Sequence, residues 1–148
     1  MKIYIDLSKD DKELAVTIHS SNQAAADKLA AYLMAYEDSI LAYDELGAKP
    51  LRIDEILCIY TSRKKVYVRT MQGEYEVRQR LYEWEERLSM QDFVRISHSE
   101  IVNLHHVLRF DLSMSGSITI EMKNHHKGMV SRRYLLKIRK RLERMKQL

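Results

Sequence analysis

One cysteine, one proline and four glycines are all that this 148-residue chain holds of those three types. The lone Cys58 excludes an intrachain disulfide, and its place inside Ile56-Leu57-Cys58-Ile59 marks it as a small buried hydrophobe. So little Pro and Gly, beside 45% hydrophobic residues, excludes a disordered chain. No apolar run approaches the ~20 residues that span a bilayer, and the N-terminus lacks the charged-then-apolar pattern of a secretory signal. The sequence has no Gly-rich phosphate loop, no Cys/His finger and no helix-turn-helix spacing. These absences lead us to expect a soluble cytoplasmic protein without a cofactor, sized for one domain or one domain with a structured extension.

Charge is present and unevenly placed. Residues 1–57 hold 6 Lys/Arg against 11 Asp/Glu, residues 58–119 hold 9 against 8, and residues 120–148 hold 10 against 2. A basic end on an acidic start suits a protein with one surface that meets a polyanion and another that does not.

Hydrophobic periodicity divides the chain. Residues 2–7 and 13–19 alternate apolar and polar, which predicts a strand pair around the polar Lys9-Asp10-Asp11-Lys12 turn. Asn22 is a candidate N-cap for a helix with Ala26, Leu29, Leu33 and Tyr36 on one stripe, ending near Glu37. A short strand at Ile40–Tyr43 should follow, and Asp44–Pro50 reads as a loop. Beyond it, Val66-Tyr67-Val68 and Tyr75-Glu76-Val77 flank a bend at Met71-Gln72-Gly73. A helix from Gln79 to Ser89 carries Leu81, Trp84 and Leu88 on one face and acidic residues elsewhere, so it should cover the core rather than touch phosphate. Strands are expected at Val107–Phe110, Ile118–Glu121 and Met129-Val130, and Ser131 is a candidate N-cap for a basic helix striped with Leu135, Ile138, Leu142 and Met145.

The organising stretch is Phe93–Asn103. Its start alternates like a strand with one buried face, it breaks into Ser97-His98-Ser99-Glu100, and it resumes with Ile101-Val102-Asn103. The block Phe93-x-Arg95-Ile96-x-x-Ser99-x-Ile101-Val102-Asn103 resembles the central signature of the LytTR DNA-binding domain of bacterial transcription regulators. The resemblance extends through Ile53–Tyr60, Gly73–Arg78 with Leu81–Glu85, and Val130–Leu135, about two thirds of the chain. It implies an elongated, mainly β domain with helices, an α+β fold whose loops rather than a recognition helix enter DNA grooves.

Carried over residue by residue, the resemblance implies base contacts from Lys64 in the Ser62–Lys65 turn, His98 in the Ser97–Glu100 loop and Arg133 at the start of the last helix. Arg133 has the best chemistry, a planar fork for a guanine edge. Lys64 is a point charge that could reach phosphate instead. His98 departs from the Arg, Lys or Asn of many relatives and cannot make a bidentate pair. Ser99 and Ser131 are candidate phosphate hydroxyls, the latter near a helix N-terminus, and Arg80, Arg132 and Lys137 are candidate phosphate neighbours. Arg95 reads equally as structural or functional, and Asn103 as a turn-fixing side chain.

Two other chemistries are set aside. His105-His106 and His125-His126 are adjacent pairs, which on a strand point to opposite faces, and no Cys lies nearby, so no metal site is expected. Ser97-His98-Ser99-Glu100 has triad residue types but, as sequence neighbours, no nucleophile–base–orienter arrangement, so no catalytic residue or small-molecule substrate is expected.

The resulting expectation is a ββα extension over residues 1–49, used for self-association or regulation, and a LytTR-like domain over 50–148 that binds duplex DNA with sequence preference. The first 50 or so residues are too few for the receiver domain of ~120 residues that commonly precedes this family's domain. A homodimer is the expected form. The rival classes are a protein-interaction module or anti-regulator held by a membrane-protein inhibitor, and an RNA-binding β domain. The latter is disfavoured because Tyr67, Tyr75 and Phe93 look like core rather than a stacking platform.

Overall fold

Along 58–69, β-branched and aromatic residues form two strands, β3 (Cys58–Ser62) and β4 (Lys65–Arg69), paired antiparallel with Ser62 opposite Lys65. The structure, a computed structural model, describes residues 1–5, 7–10 and 15–146. They divide into two compact units, Met1–Glu37 and Asp38–Leu148.

The first unit contains one helix, α1 (Gln23–Glu37). Asn22 caps it as expected, its Oδ1 accepting from the Ala25 amide at 3.2 Å. Ala26, Leu29 and Leu33 are half-buried along one stripe, and Tyr36 lies outside the described side chains. The strands expected at 2–7 and 13–19 are not found: the described residues there are irregular, and residues 6 and 13–14 lie outside the description. Among the described residues of this stretch the alternation has no partner strand to bury one face against.

In the second unit β1 (Ser39–Asp44) and β2 (Gly47–Arg52) form a hairpin. The loop expected at Asp44–Pro50 is therefore mostly strand, and a boundary after residue 49 would cut through it. Pro50 is tolerated because β2 is the edge of its sheet, where a missing amide costs no ladder bond. The remaining strands of this sheet are β5 (Glu74–Val77), β6 (Phe93–Ser97) and β7 (Glu100–Asn103), in the order β2-β1-β5-β4-β3-β7-β6. A second, three-stranded antiparallel sheet has the order β10-β9-β8, from β8 (Val107–Leu112), β9 (Ile118–Met122) and β10 (Lys127–Val130).

The central strands are buried on both faces, not one. Ile59, Phe93 and Ile101 join a core with Leu81, Trp84 and Leu88 of the short helix α2 (Leu81–Arg87) and its C-cap. Their chain neighbours Cys58, Val94 and Val102 face the other way. There they meet Ile118, Ile120 and Met122 of the small sheet and Ile138 of α3 (Leu135–Lys146). Apolar residues at both parities are the sequence mark of this sandwiching. Cys58 is fully buried, and that burial pushes its thiol up to about 12, so it is core and not a reactive site.

Polar side chains tie the layers. Asn103, 3% exposed, donates Nδ2 to the Ile56 carbonyl at 2.9 Å and accepts from the His105 amide at 3.1 Å, as its turn-fixing role required. Arg141 of α3 binds Asp92 at 3.0 Å, and this hydrogen bond, with His105 alongside, holds the Asp92 carboxyl below its usual range. Arg69 does the same for Glu74. Groups with depressed folded pKa values stabilise the fold above the unfolded value and lose that contribution as pH falls through the folded one. Acid titration should therefore lower the melting temperature beginning below pH ~4. Asp92→Asn should remove part of that dependence; an unchanged profile would exclude Asp92 from it.

Candidate nucleic-acid interface

The β3–β4 turn is made by Arg63 and Lys64, both in the left-handed region, with φ of 50° and 67°. Two successive positive values match the tight two-residue turn that suits strand twist, which normally selects Asn-Gly. Two non-glycine residues there carry strain, and such strain concentrates at functional sites. Its effect is to hold two long basic side chains outward at a hairpin tip, and both are exposed.

The β6–β7 connection is His98-Ser99, with Ser97 opposite Glu100. Arg95 braces it from below: Nε donates to the Ser97 carbonyl at 2.8 Å and Nη2 to the His98 carbonyl at 2.6 Å, while Nη1 pairs with Glu85 at 3.0 Å. The Arg95 side chain is only 11% exposed, so its role is structural. The turn is thus fixed by a buried fork and presents an exposed His98 ring. Ser99 is also exposed; its amide is held by Ser97 Oγ at 3.2 Å.

The third element departs from the expected simple helix start. Arg132–Tyr134 form a single 3-10 turn before α3, and the Ser131 side chain makes no cap hydrogen bond. Extended backbone at Ser131 places it at the cap position, but the tighter turn is closed by the Tyr134 amide on the Ser131 carbonyl at 2.9 Å. The half-buried hydroxyl is left without that internal role, and Arg132 and Arg133 stand exposed. Tyr134, packed on the second core, lies with its ring 5.9 Å from the Arg133 guanidinium.

Hydrogen bonds bring these turns to one end of the large sheet. Tyr60 of β3 pairs with Glu100 of β7, and the Thr61 amide donates to the Ser99 carbonyl at 2.9 Å. The Ser131 amide donates to the Ile96 carbonyl at 2.8 Å. Lys64, His98 and Arg133 follow these three anchors within three residues. Gly128 permits the last approach: a Cβ there would lie 2.8 Å from Ile96 Cδ1. Arg80 leaves the same end, three residues after Val77, which pairs with Val66. Lys137 is exposed on α3, lining a cavity of about 200 Å³ with Arg95, Lys140 and Arg144.

Among the described residues, Arg63, Lys64, Arg80, Arg132, Arg133 and Lys137 have no ion pair, whereas Arg95 and Arg141 are spent internally. Arg63, Lys140 and Arg144 were missed as candidates; the unusual turn chemistry of Arg63 and the helical spacing of the other two were the available signals. Tyr67 and Tyr75 are half-buried and Phe93 is buried. No group of His, Cys, Asp or Glu among the described residues could hold a metal ion, and no helix among them is long and apolar enough to cross a membrane.

The family pattern of the LytTr DNA-binding domain matches residues 47–143. Two uncharacterized HTH-type transcriptional regulators of Staphylococcus aureus are similar over nearly the whole chain. The one from strain NCTC 8325 is 28% identical over 96% of this chain and 98% of its own length. The one from strain bovine RF122 is 29% identical over the same shares. Among solved structures, the LytTr DNA-binding domain of a putative methyl-accepting/DNA response regulator from Bacillus cereus has the same fold. It superposes with a TM-score of 0.67 at 24% identity, over 71% of this chain and 96% of that one.

Proposed function

We propose, because this chain belongs to the LytTr DNA-binding domain family, that it is a transcription regulator which reads particular duplex DNA sequences with side chains on turns. Lys64, His98 and Arg133 contact base edges, and Arg80, Ser99, Ser131, Arg132 and Lys137 contact phosphate. The observation that carries this reading is the joining of three turns by the Thr61–Ser99 and Ser131–Ile96 hydrogen bonds. Around them stand cations with no ion pair among the described residues. Rigid turns hold a readout geometry that free loops would lose to entropy.

The relatives' name mentions a helix-turn-helix, but the described helices α1, α2 and α3 are separated by strands. Base reading in this chain therefore belongs to the turns. The protein works in the cytoplasm, where its DNA is. The exposed apolar residues of the first unit, among them Ile3 at 74% and Leu7 at 89%, support a docking or regulatory role for that unit.

Selection from a random duplex library tests the reading. One enriched motif is expected, and its affinity should fall linearly in log–log terms as salt rises, because several phosphates are neutralised. Equal retention of all duplexes, or preference for single-stranded RNA, would remove base reading.

A further inference from the structure

We propose that β8 is an interaction surface for a second copy of this chain, the two β8 strands pairing antiparallel about Phe110. β8 ends the small sheet, so one of its edges has no strand beside it among the described residues. Natural edges are blunted by charged side chains, proline, bulges or covering segments. This one has a register shift at its start and two charges of opposite sign, but beyond the shift it contains neither Lys nor Pro and exposes Leu112 at 72%, with Leu108 at 54% at the shift itself.

Its sequence is complementary to itself. Leu108-Arg109-Phe110-Asp111-Leu112 reads apolar, charged, apolar, charged, apolar in both directions, and the two charges have opposite sign. Aligned antiparallel on Phe110, each Arg109 faces the second copy's Asp111 and each Leu108 faces the second copy's Leu112. Opposite charges and apolar pairs directly across a ladder are the stabilising cross-strand arrangement. Parallel alignment would set each charge against its own kind.

The hydrogen-bond phase agrees. The Ser113 amide donates inward to the Ser117 carbonyl at 3.0 Å, and the register continues through Asp111 opposite Thr119 and Arg109 opposite Glu121. Every second residue bonds inward, so Phe110 and Leu112 turn their amides and carbonyls to the open edge. Phe110 then pairs with the second copy's Phe110 through those groups. Arg109 and the second copy's Asp111 fall on the closer, non-hydrogen-bonded positions, where side chains meet best. Within one copy Arg109 pairs with Glu121 at 3.1 Å and more loosely with Asp111 at 3.5 Å; Arg109 and Asp111 are 61% and 48% exposed, so Asp111 can turn to a second copy's Arg109 while each Arg109 keeps its own Glu121. The register shift lies between Val107 and Arg109, outside the central triplet.

Light scattering of the full chain over a concentration series tests it. The wild type should approach twice 17.6 kDa as concentration rises. Asp111→Arg sets Arg against Arg, and Leu112→Pro removes one outward amide at an edge that tolerates proline; both should stay at the single-copy mass with unchanged circular dichroism. An equimolar mixture of Arg109→Asp and Asp111→Arg restores opposite charges across the seam and should recover the doubled mass that each lacks alone. A wild type that stays single at every concentration overturns the proposal. So does a doubled mass that survives both variants, which would place the interface elsewhere, such as on the first unit. Binding of Leu112→Pro to a duplex with one site should match the wild type, which separates this seam from DNA reading.

Discussion

Arg133→Ala is expected to flatten the ranking of duplex sequences, lowering affinity for the preferred motif about 10–100-fold while leaving the weakest sequences nearly unchanged. A bidentate Arg–guanine pair supplies roughly 1–3 kcal/mol of discrimination, which sets that range. Arg132 and Arg133 stand exposed in the same 3-10 turn, and the proposed reading gives the base edge to Arg133. Ser131 is tied to Ile96, one residue before the β6–β7 turn, and the 3-10 turn hands the chain to α3 two residues after Arg133. Tyr134 is anchored in the second core beside it. Arg133 is thus fixed at its base, and its guanidinium lies 5.9 Å from the Tyr134 ring with no ion pair among the described residues. Arg132→Ala or Lys137→Ala should instead weaken all duplexes alike and lower the salt slope by about one. Competition titrations across a set of single-base variants of the selected motif decide the matter. If Arg133→Ala weakens every duplex by one common factor, Arg133 is a phosphate contact and the reading of bases passes to His98 and Lys64.

His98 sets a limit on that partition. Its ring can donate or accept once at neutral charge, so it cannot match the discrimination of an arginine fork. What the fold gives it instead is placement. Arg95 directs each of its three nitrogens to Ser97, His98 or Glu85, and its side chain is largely buried. A basic residue in a signature block acts here by holding the backbone from which the exposed His98 ring projects.

Much of this was legible in the residues because it depends on local chemistry. Ser97-His98-Ser99-Glu100 could only be a break between strands, Asn22 capped the helix it preceded, and the Leu81, Trp84 and Leu88 stripe packed as its spacing required. What could not be read depended on partners far along the chain. Asn103 is satisfied by Ile56, 47 residues away. Pro50 became strand because β2 lies at an edge, a fact of sheet order rather than of sequence. The alternation in residues 1–20 suggested strands, yet alternation supplies only one face; it does not supply the neighbour whose backbone must accept the hydrogen bonds. For the site, the positions of the turns were readable from composition, and their convergence came from hydrogen bonds joining β3 to β7 and the last turn to β6.

The β3–β4 turn offers the sharpest separation of stability from function. Replacing Arg63-Lys64 by Asn-Gly is expected to raise the melting temperature and to lower duplex affinity at least tenfold. Both residues sit at positive φ, where side chains other than Gly and Asn carry a cost of roughly 1–2 kcal/mol each. Asn-Gly relieves that strain without changing the Ser62–Lys65 pairing, so the fold should gain about 1–3 kcal/mol. The same change removes Lys64, the proposed base contact, and the exposed Arg63 beside it, so sequence preference should weaken and the salt slope of binding should fall by about one. Denaturant unfolding and duplex titration at several salt concentrations measure the two arms separately. A variant that is more stable and binds as tightly would remove this turn from the interface. One that is less stable would mean that the two basic side chains support the hairpin itself. Only the opposed outcome, a firmer hairpin that has lost its grip on DNA, fits a turn kept in a costly conformation for the sake of the residues it presents.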